Sequence, residues 1–212
     1  MKYHDGTIQR RHRPRVPHRR TWGRPKGPAR RVFIGIRLDA DTAERLAELQ
    51  EGLPPIPMRR VPKADLHLTL TPPWMEKDIA AAAQRLRDAL ERPFEFELKF
   101  RRLRFGPDPA DPFLIWVTCE ASKELIELKN RLLKAFGNGK KGKEKVPFTP
   151  HVTLARLRGS FANSFREHHL RKVVPLTMTV SAVELMASPH QGGAGYETLK
   201  KVRLPRVEET PR

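Results

Sequence analysis

The 212-residue chain has a single cysteine, Cys119, and no apolar run longer than a β-strand. One cysteine can form neither an internal disulfide nor a cysteine-based zinc site. Because Cys119 lies at the end of the apolar strand predicted over 113–119, we expect a buried, inert thiol. Every apolar run is far shorter than the roughly 20 residues that span a bilayer. The sequence also begins without the apolar stretch of a secretory signal, so we predict a cytoplasmic protein with no membrane partner.

Acidic residues are scarce relative to basic ones: 24 Asp and Glu stand against 42 Lys and Arg, a formal net charge of +18. Such a balance favours an anionic partner, and nucleic acid is the first candidate. The charge is unevenly distributed, since residues 1–31 hold eleven basic residues and one acidic residue. The rest of the chain is therefore also basic, with a smaller excess of positive charge.

Residues 1–30 are rich in arginine and proline and poor in apolar residues. Such a segment buries too little surface to offset its ordering entropy, so we predict a disordered basic arm. The arm either only aids solubility or contacts RNA or the ribosome through phosphates. An organellar targeting peptide is the third alternative, and the prolines argue against the amphipathic helix that it would need. We predict one folded domain over residues 31–205, followed by a flexible tail over 206–212.

Within the folded domain, a unit of buried strand, amphipathic helix and second strand is predicted twice. The predicted ranges are 32–36, 42–50 and 66–71 for the first unit, and 113–119, 122–136 and a strand from His151 for the second. Further predictions are a short strand at 58–61, helices over 77–91 and near 164–170, and strands over 94–105, 173–186 and 196–204. This order predicts an α+β fold: two pseudo-symmetric lobes whose antiparallel sheets line a central cleft, with the helices outside.

Two short motifs read almost alike: His67-Leu68-Thr69-Leu70 and His151-Val152-Thr153-Leu154. Side chains alternate between the faces of a strand, so the histidine and threonine of each motif share one face. The apolar residues between them then point into the core. Because each motif ends a similar strand–helix–strand unit, we predict a duplicated half-site in which both histidines face one substrate.

Two facing histidines can perform acid–base chemistry, since an unperturbed imidazole titrates at a pKa of about 6.5. One neutral imidazole takes a proton from water while the other, protonated, supplies one to a leaving oxygen. The threonine hydroxyls can donate to phosphate oxygens that gain charge in the transition state. This pattern predicts metal-free cleavage of a phosphodiester with no cofactor. A metal site is the rival interpretation and would need a third ligand; Asp65 adjoins the first motif.

These motifs and their flanking residues resemble the two-histidine (2H) phosphoesterase superfamily, and within it the RNA 2′,3′-cyclic phosphodiesterases, also called 2′-5′ RNA ligases. The resemblance covers roughly residues 31–204. It rests on the segments 32–36, 65–70, 147–156 and 195–197. The second motif, with Phe148 and Pro150 before it and Ala155-Arg156 after it, is the most specific part.

The resemblance implies hydrolysis of a 2′,3′-cyclic phosphate at an RNA end to a 2′-phosphomonoester. It implies that His67 is the proton donor, that His151 is the proton acceptor, and that Thr69 and Thr153 hold the phosphate. Arg156 is either a phosphate contact, as in the family, or a surface charge. The expected partner is RNA with a cyclic phosphate end, tRNA fragments being one candidate, and the expected state is a monomer. The alternatives are 2′-5′ RNA ligation by transesterification and an RNA-binding protein with a vestigial site.

The chain departs from the family after the first motif, where Thr71-Pro72-Pro73-Trp74 replaces the common aromatic-Leu-Gly turn. Trp74 either stacks on a base or covers the edge of its lobe. Phe148 either stacks on a base or packs in the core, and the same two alternatives hold for Tyr196. The lysine-rich loop over 137–145 either guides a phosphate backbone or is merely solvated.

Overall fold

The structure, a computed structural model, describes residues 28–108, 110–137, 148–158, 170–189 and 195–206. The strands are β1 Arg30–Arg37, β2 Met58–Arg60, β3 His67–Thr69, β4 Trp74–Glu76, β5 Phe96–Gly106, β6 Leu114–Cys119, β7 His151–Leu157, β8 Lys172–Val173, β9 Thr177–Val180, β10 Ala182–Ala187 and β11 Glu197–Arg203. The helices are α1 Ala40–Glu51, α2 Ile79–Ala89 and α3 Lys123–Phe136. Most of the predicted arm (1–27), most of the lysine-rich loop (138–145), residues 164–169 of the predicted short helix and the tail from 207 lie outside the described residues.

The strands form one open antiparallel sheet in the order β11-β10-β1-β3-β7-β6-β5-β8, with β4 beside β1, β2 beside β7 and β9 beside β5. The two predicted lobes are the two halves of this sheet. They meet where the motif strands β3 and β7 pair. The prediction of an α+β fold is confirmed.

Side-chain caps begin the helices. The Asp39 carboxylate accepts the backbone N–H of Thr42 at 2.8 Å, and the Ser122 hydroxyl accepts that of Leu125 at 3.3 Å. Both are short polar residues of the types preferred at the start of a helix. Helix α2 starts at Ile79 rather than at 77, because Asp78 caps it by accepting from Ala81.

The core lies between the helices and one face of the sheet. Leu68 and Val152, from the centres of the two motifs, are fully buried in it together with helix residues such as Leu46 and Leu125. Cys119 is 6% exposed, and burial raises the pKa of its thiol to about 12. The predicted burial of the thiol is confirmed, and its raised pKa disfavours the reactive thiolate.

The single strand predicted over 173–186 is wrong: β8, β9 and β10 occupy that range. Pro175 has no backbone N–H for a ladder, and it lies between β8 and β9. After Ser181 the chain leaves β5, the partner of β9, for β1, the partner of β10. The strand at 74–76 was not predicted, and it extends the pairing of β1 back to Arg30.

None of the helices in the described ranges is long and apolar enough to cross a membrane.

Candidate active site

The motif strands meet at one residue pair, Leu68 opposite Val152. In an antiparallel ladder the adjacent positions then place His67 opposite Thr153 and Thr69 opposite His151. Because Leu68 and Val152 point into the core, these four side chains point to the other face. There they line a pocket of about 160 Å³, whose full lining is Val61, His67, Thr69, Leu114, His151, Thr153, Arg156 and Tyr196.

Both imidazoles are held in the same way. His67 Nδ1 lies 2.6 Å from the backbone oxygen of Asp65, and His151 Nδ1 lies 2.8 Å from that of Thr149. A carbonyl oxygen can only accept, so each Nδ1 carries a hydrogen. Nε2 is thus the nitrogen that each ring has free to accept or donate a proton at the pocket.

An aromatic cluster surrounds His67. The ring of Phe33 lies 4.9 Å from the imidazole, and Tyr196 makes an edge contact at 5.0 Å. Burial lowers the pKa of His67, and the positive charges of Arg37 and Arg156 lower it further; the hydrogen bond to Asp65 acts in the opposite direction.

His151 has one aromatic neighbour, Trp116, at 4.2 Å between ring centroids. Burial lowers the pKa of His151, the positive charge of Arg104 adds to this, and the hydrogen bond to Thr149 opposes it. Both shifts favour the neutral imidazole in the unliganded pocket. A bound anion stabilises the protonated form and raises the pKa of either ring.

A β-bulge brings Arg156 to the pocket. Strict alternation from Thr153 would place Arg156 on the core face. In the ladder with β6, however, Thr153 pairs with Trp116 and Ala155 with Ile115, so Leu154 is an extra residue. Leu154 and Ala155 are both fully buried. Arg156 consequently lies on the same face as the histidines.

Asp65 supports the site in a way that the sequence did not predict. It is 3% exposed, and its carboxylate accepts the backbone N–H groups of Gly195 at 2.6 Å and Tyr196 at 2.9 Å. These bonds place Tyr196 beside His67. The only signal in the sequence is a carboxylate two positions before the motif histidine. No cluster of three His, Cys, Asp or Glu side chains arranged for a metal ion occurs among the described residues.

Two predicted base-stacking residues lie elsewhere. The indole N–H of Trp74 donates to Glu76 at 3.2 Å, and its ring lies 5.2 Å from Phe136. Phe148 packs beneath the ammonium group of Lys129, 4.3 Å from the ring centroid. The structure thus brings Arg156 and Tyr196 to the histidines but does not bring Trp74 or Phe148 to the pocket lining.

Two glycines allow close approaches around the site. Gly35 pairs with Thr69, and a Cβ at position 35 would lie 2.7 Å from the backbone oxygen of Leu68. A Cβ at Gly106 would lie 2.1 Å from the indole of Trp116. Both distances are too short for a side chain, so each glycine preserves the position of a strand or ring that contacts the site.

An open antiparallel sheet with two His-x-Thr motifs facing one pocket is the arrangement of a 2H phosphoesterase. A family model described as the 2′-5′ RNA ligase superfamily matches residues 37–191, well over half of the chain. The chain belongs to this superfamily, and the resemblance seen in the motifs is confirmed.

Individual relatives agree with this assignment. The chain is 30% identical over 119 residues to an RNA 2′,3′-cyclic phosphodiesterase of Aeropyrum pernix, covering 55% of this chain and 68% of that protein. Its fold is similar to that of a protein from Thermus thermophilus (TM-score 0.69, 22% identity, 83% of this chain and 98% of that one). It is also similar to E. coli LigT complexed with phosphate (TM-score 0.65, 23% identity, 85% and 100%). At these identities the two structures show the fold alone.

Proposed function

We propose that the protein is a metal-independent hydrolase that opens the 2′,3′-cyclic phosphate at an RNA end and leaves a 2′-phosphomonoester. The observation that carries the proposal is the pairing of β3 with β7, which sets two imidazoles, each anchored through Nδ1, around one small pocket. The name of the Aeropyrum pernix relative supports the same substrate class.

The proposed reaction needs only these side chains and water. Neutral His151 takes a proton from water through Nε2 as the water oxygen attacks phosphorus. The bond from phosphorus to O3′ breaks, and protonated His67 gives its Nε2 proton to that leaving oxygen. The pseudo-symmetric geometry makes both rings competent for either role, and the assignment of His67 as donor comes from the family resemblance.

The remaining pocket residues stabilise the charge that develops on the phosphate. The hydroxyls of Thr69 and Thr153 donate to the non-bridging oxygens, and the Arg156 guanidinium adds a charge-assisted contact. The substrate also sets the protonation state. Its cyclic phosphate carries a negative charge, which raises the pKa of the neighbouring imidazole and lets one ring enter the reaction protonated. Since the cyclic phosphate needs a ribose 2′-oxygen, the substrate is RNA and not DNA.

The direct test is incubation of purified protein, in excess EDTA, with an RNA that ends in a 2′,3′-cyclic phosphate. We expect a 2′-phosphomonoester, identified by mass and by sensitivity to phosphatase. His67→Ala and His151→Ala should each lower the rate by roughly 10²- to 10⁴-fold, the usual contribution of a general acid or base. Activity retained in either variant would exclude the two-histidine mechanism, and loss of activity in EDTA would exclude a metal-independent one.

The same site has a second candidate reaction, because the family to which the chain belongs is described as 2′-5′ RNA ligases. If the 5′-hydroxyl of a second RNA replaces water as the nucleophile, the product is a 2′-5′ linkage. Supplying both RNA ends together and analysing the products separates ligation from hydrolysis. An RNA that binds without turnover would instead favour the vestigial-site alternative. The use of tRNA fragments and the monomeric state stay predictions.

A further inference from the structure

Three arginines form a row beside the pocket. Strand β2 pairs with β7 so that Arg59 lies directly opposite Arg156 and Met58 lies opposite Leu157. Met58 and Leu157 pack against the core. Arg59 and Arg156, one position along each strand, therefore lie on the opposite face, which is the face of the pocket.

The row continues to Arg158. This residue follows Leu157. Its backbone N–H donates to the backbone oxygen of Pro57 at 3.0 Å, which extends the pairing of β2 with β7. It is exposed, like Arg156. Alternation places it on the same face as Arg156, so the row Arg156, Arg59 and Arg158 leads from the pocket along the β2–β7 edge.

The neighbours of Arg59 in the chain confirm its direction. The Nε of Arg60 donates to the backbone oxygen of Gln50, in helix α1, so Arg60 lies on the helix side of the sheet. Val61 lines the pocket. Arg59 shares the face of Val61 because the two residues are two positions apart.

Arginines near the pocket differ in their partners between the two halves of the sheet. In the first half, Arg37 lies opposite His67 and is neutralised by Glu184 at 3.1 Å. In the second half, Arg156 and Arg158 have no carboxylate partner among the described residues. The guanidinium groups of Arg156 and Arg158 are therefore available to an anion bound at this edge of the sheet.

We infer that Arg59 and Arg158 form a subsite for the phosphodiester on the 5′ side of the terminal nucleotide. The inference rests on the proposed function. The ribose that carries a cyclic phosphate across O2′ and O3′ carries the preceding phosphodiester at O5′, so two anions lie close together at the RNA end. With the cyclic phosphate between Thr69 and Thr153, Arg59 lies beside Arg156 on the neighbouring strand and Arg158 lies beyond Arg156 along the chain. The substrate class is thus an oligoribonucleotide end, and a mononucleotide fills only part of the site.

The test compares two substrates that differ only in that phosphate and the nucleoside beyond it: adenosine 2′,3′-cyclic phosphate with a free 5′-hydroxyl, and the dinucleotide ApA ending in the same cyclic phosphate. We expect the wild-type protein to have the higher kcat/KM for the dinucleotide, mainly through a lower KM. This preference should weaken with salt, with a logarithmic slope of roughly 0.7 per phosphate contact.

Arg59→Gln and Arg158→Gln should each reduce the dinucleotide-to-mononucleotide ratio of kcat/KM by about tenfold, as expected for a charge-assisted contact. Arg158→Lys should retain part of the preference, because it keeps the charge but loses the guanidinium geometry. Arg45→Gln is the matched control: Arg45 is an exposed arginine of α1, and the variant removes the same charge. It should leave the ratio unchanged.

The inference is overturned if the wild type shows no preference for the dinucleotide. It is also overturned if the variants lower kcat/KM equally for both substrates, since the arginines would then support the pocket rather than bind the second phosphate. These results differ from failure of the proposed function, in which the wild type would open neither cyclic phosphate.

Discussion

The carboxylate of Asp65 accepts the backbone N–H of Tyr196 at 2.9 Å, although 131 positions separate the two residues. The same Asp65 offers its backbone oxygen to His67 Nδ1. Tyr196 in turn lies with its ring edge against the imidazole. One residue thus orients the His67 ring directly and places an aromatic neighbour beside it. Asp65 is a positioning residue: it acts through His67 and Tyr196 and is absent from the pocket lining.

Replacement of Asp65 by asparagine should disturb this arrangement. An amide offers one acceptor oxygen and puts an NH₂ group against the second backbone N–H, so one buried donor loses its partner. A buried unsatisfied group costs about 1–3 kcal/mol, and we expect a loss of that size in the free energy of unfolding, measured in urea. We also expect a lower kcat and a shifted upper limb of its pH profile, because the contact between Tyr196 and His67 loosens.

The matched control is Asp41→Asn, at an exposed carboxylate in the first turn of α1. It removes the same charge at a far smaller cost in stability, since water solvates the new amide. If both variants unfold alike and show the same pH profile, Asp65 has no positioning role.

The pH dependence of the reaction follows from the lowered pKa values of both histidines. For the reaction, the base must be neutral and the acid protonated. The kcat/KM profile reports the pKa values of the free protein. Because both of these lie below the ordinary histidine value, both limbs of that profile should lie below about pH 6.5. The bound phosphate raises the pKa of the acid, so the upper limb of kcat should lie at higher pH than that of kcat/KM. Steady-state kinetics across the pH range on a cyclic phosphate substrate measures both profiles.

The Arg156→Gln variant tests the electrostatic environment of His67 directly. The Arg156 charge lowers the pKa of His67, so its removal should move the upper limb of kcat/KM to higher pH while the rate falls. A kcat/KM optimum above neutrality in the wild type, or an upper limb that moves to lower pH in the variant, would contradict the assigned environment of His67.

Gly35→Ala should separate β1 from the first motif. The added Cβ would lie 2.7 Å from the backbone oxygen of Leu68, an atom that cannot rotate away. Overpacking of this kind typically costs about 1–3 kcal/mol, and displacement of β3 should also lower kcat. Thermal unfolding and turnover of the same preparation test both effects.

Gly52→Ala provides the comparison within the chain. Gly52 caps α1 at a φ of −83°, and the nearest atom to a Cβ there lies 3.9 Å away. Alanine fits without strain and restricts the unfolded chain, so we expect a neutral or slightly stabilising change. A Gly35→Ala variant as stable as Gly52→Ala would show that β1 can shift without disturbing the site.

Several features could be predicted because they depend on near neighbours in the chain. Alternation along a strand places His67 with Thr69 and His151 with Thr153. Asp39 and Ser122 stand just before an apolar helical period and are of the residue types that cap helices. The apolar strand around Cys119 predicts its burial.

Other features depend on contacts that no local pattern contains. Arg156 reaches the pocket only because the ladder between β6 and β7 has a bulge at Leu154. The sequence left two roles open for Trp74 and two for Phe148. The contacts that distinguish them, with Phe136 and Lys129, are made by helix α3. The sequence by itself therefore determined the chemistry of each half-site, since strand alternation is a property of adjacent residues. Only the tertiary structure decided that the half-sites form one pocket, because the pairing of Leu68 with Val152 joins strands that are far apart in the chain and gains its stability from the core behind both.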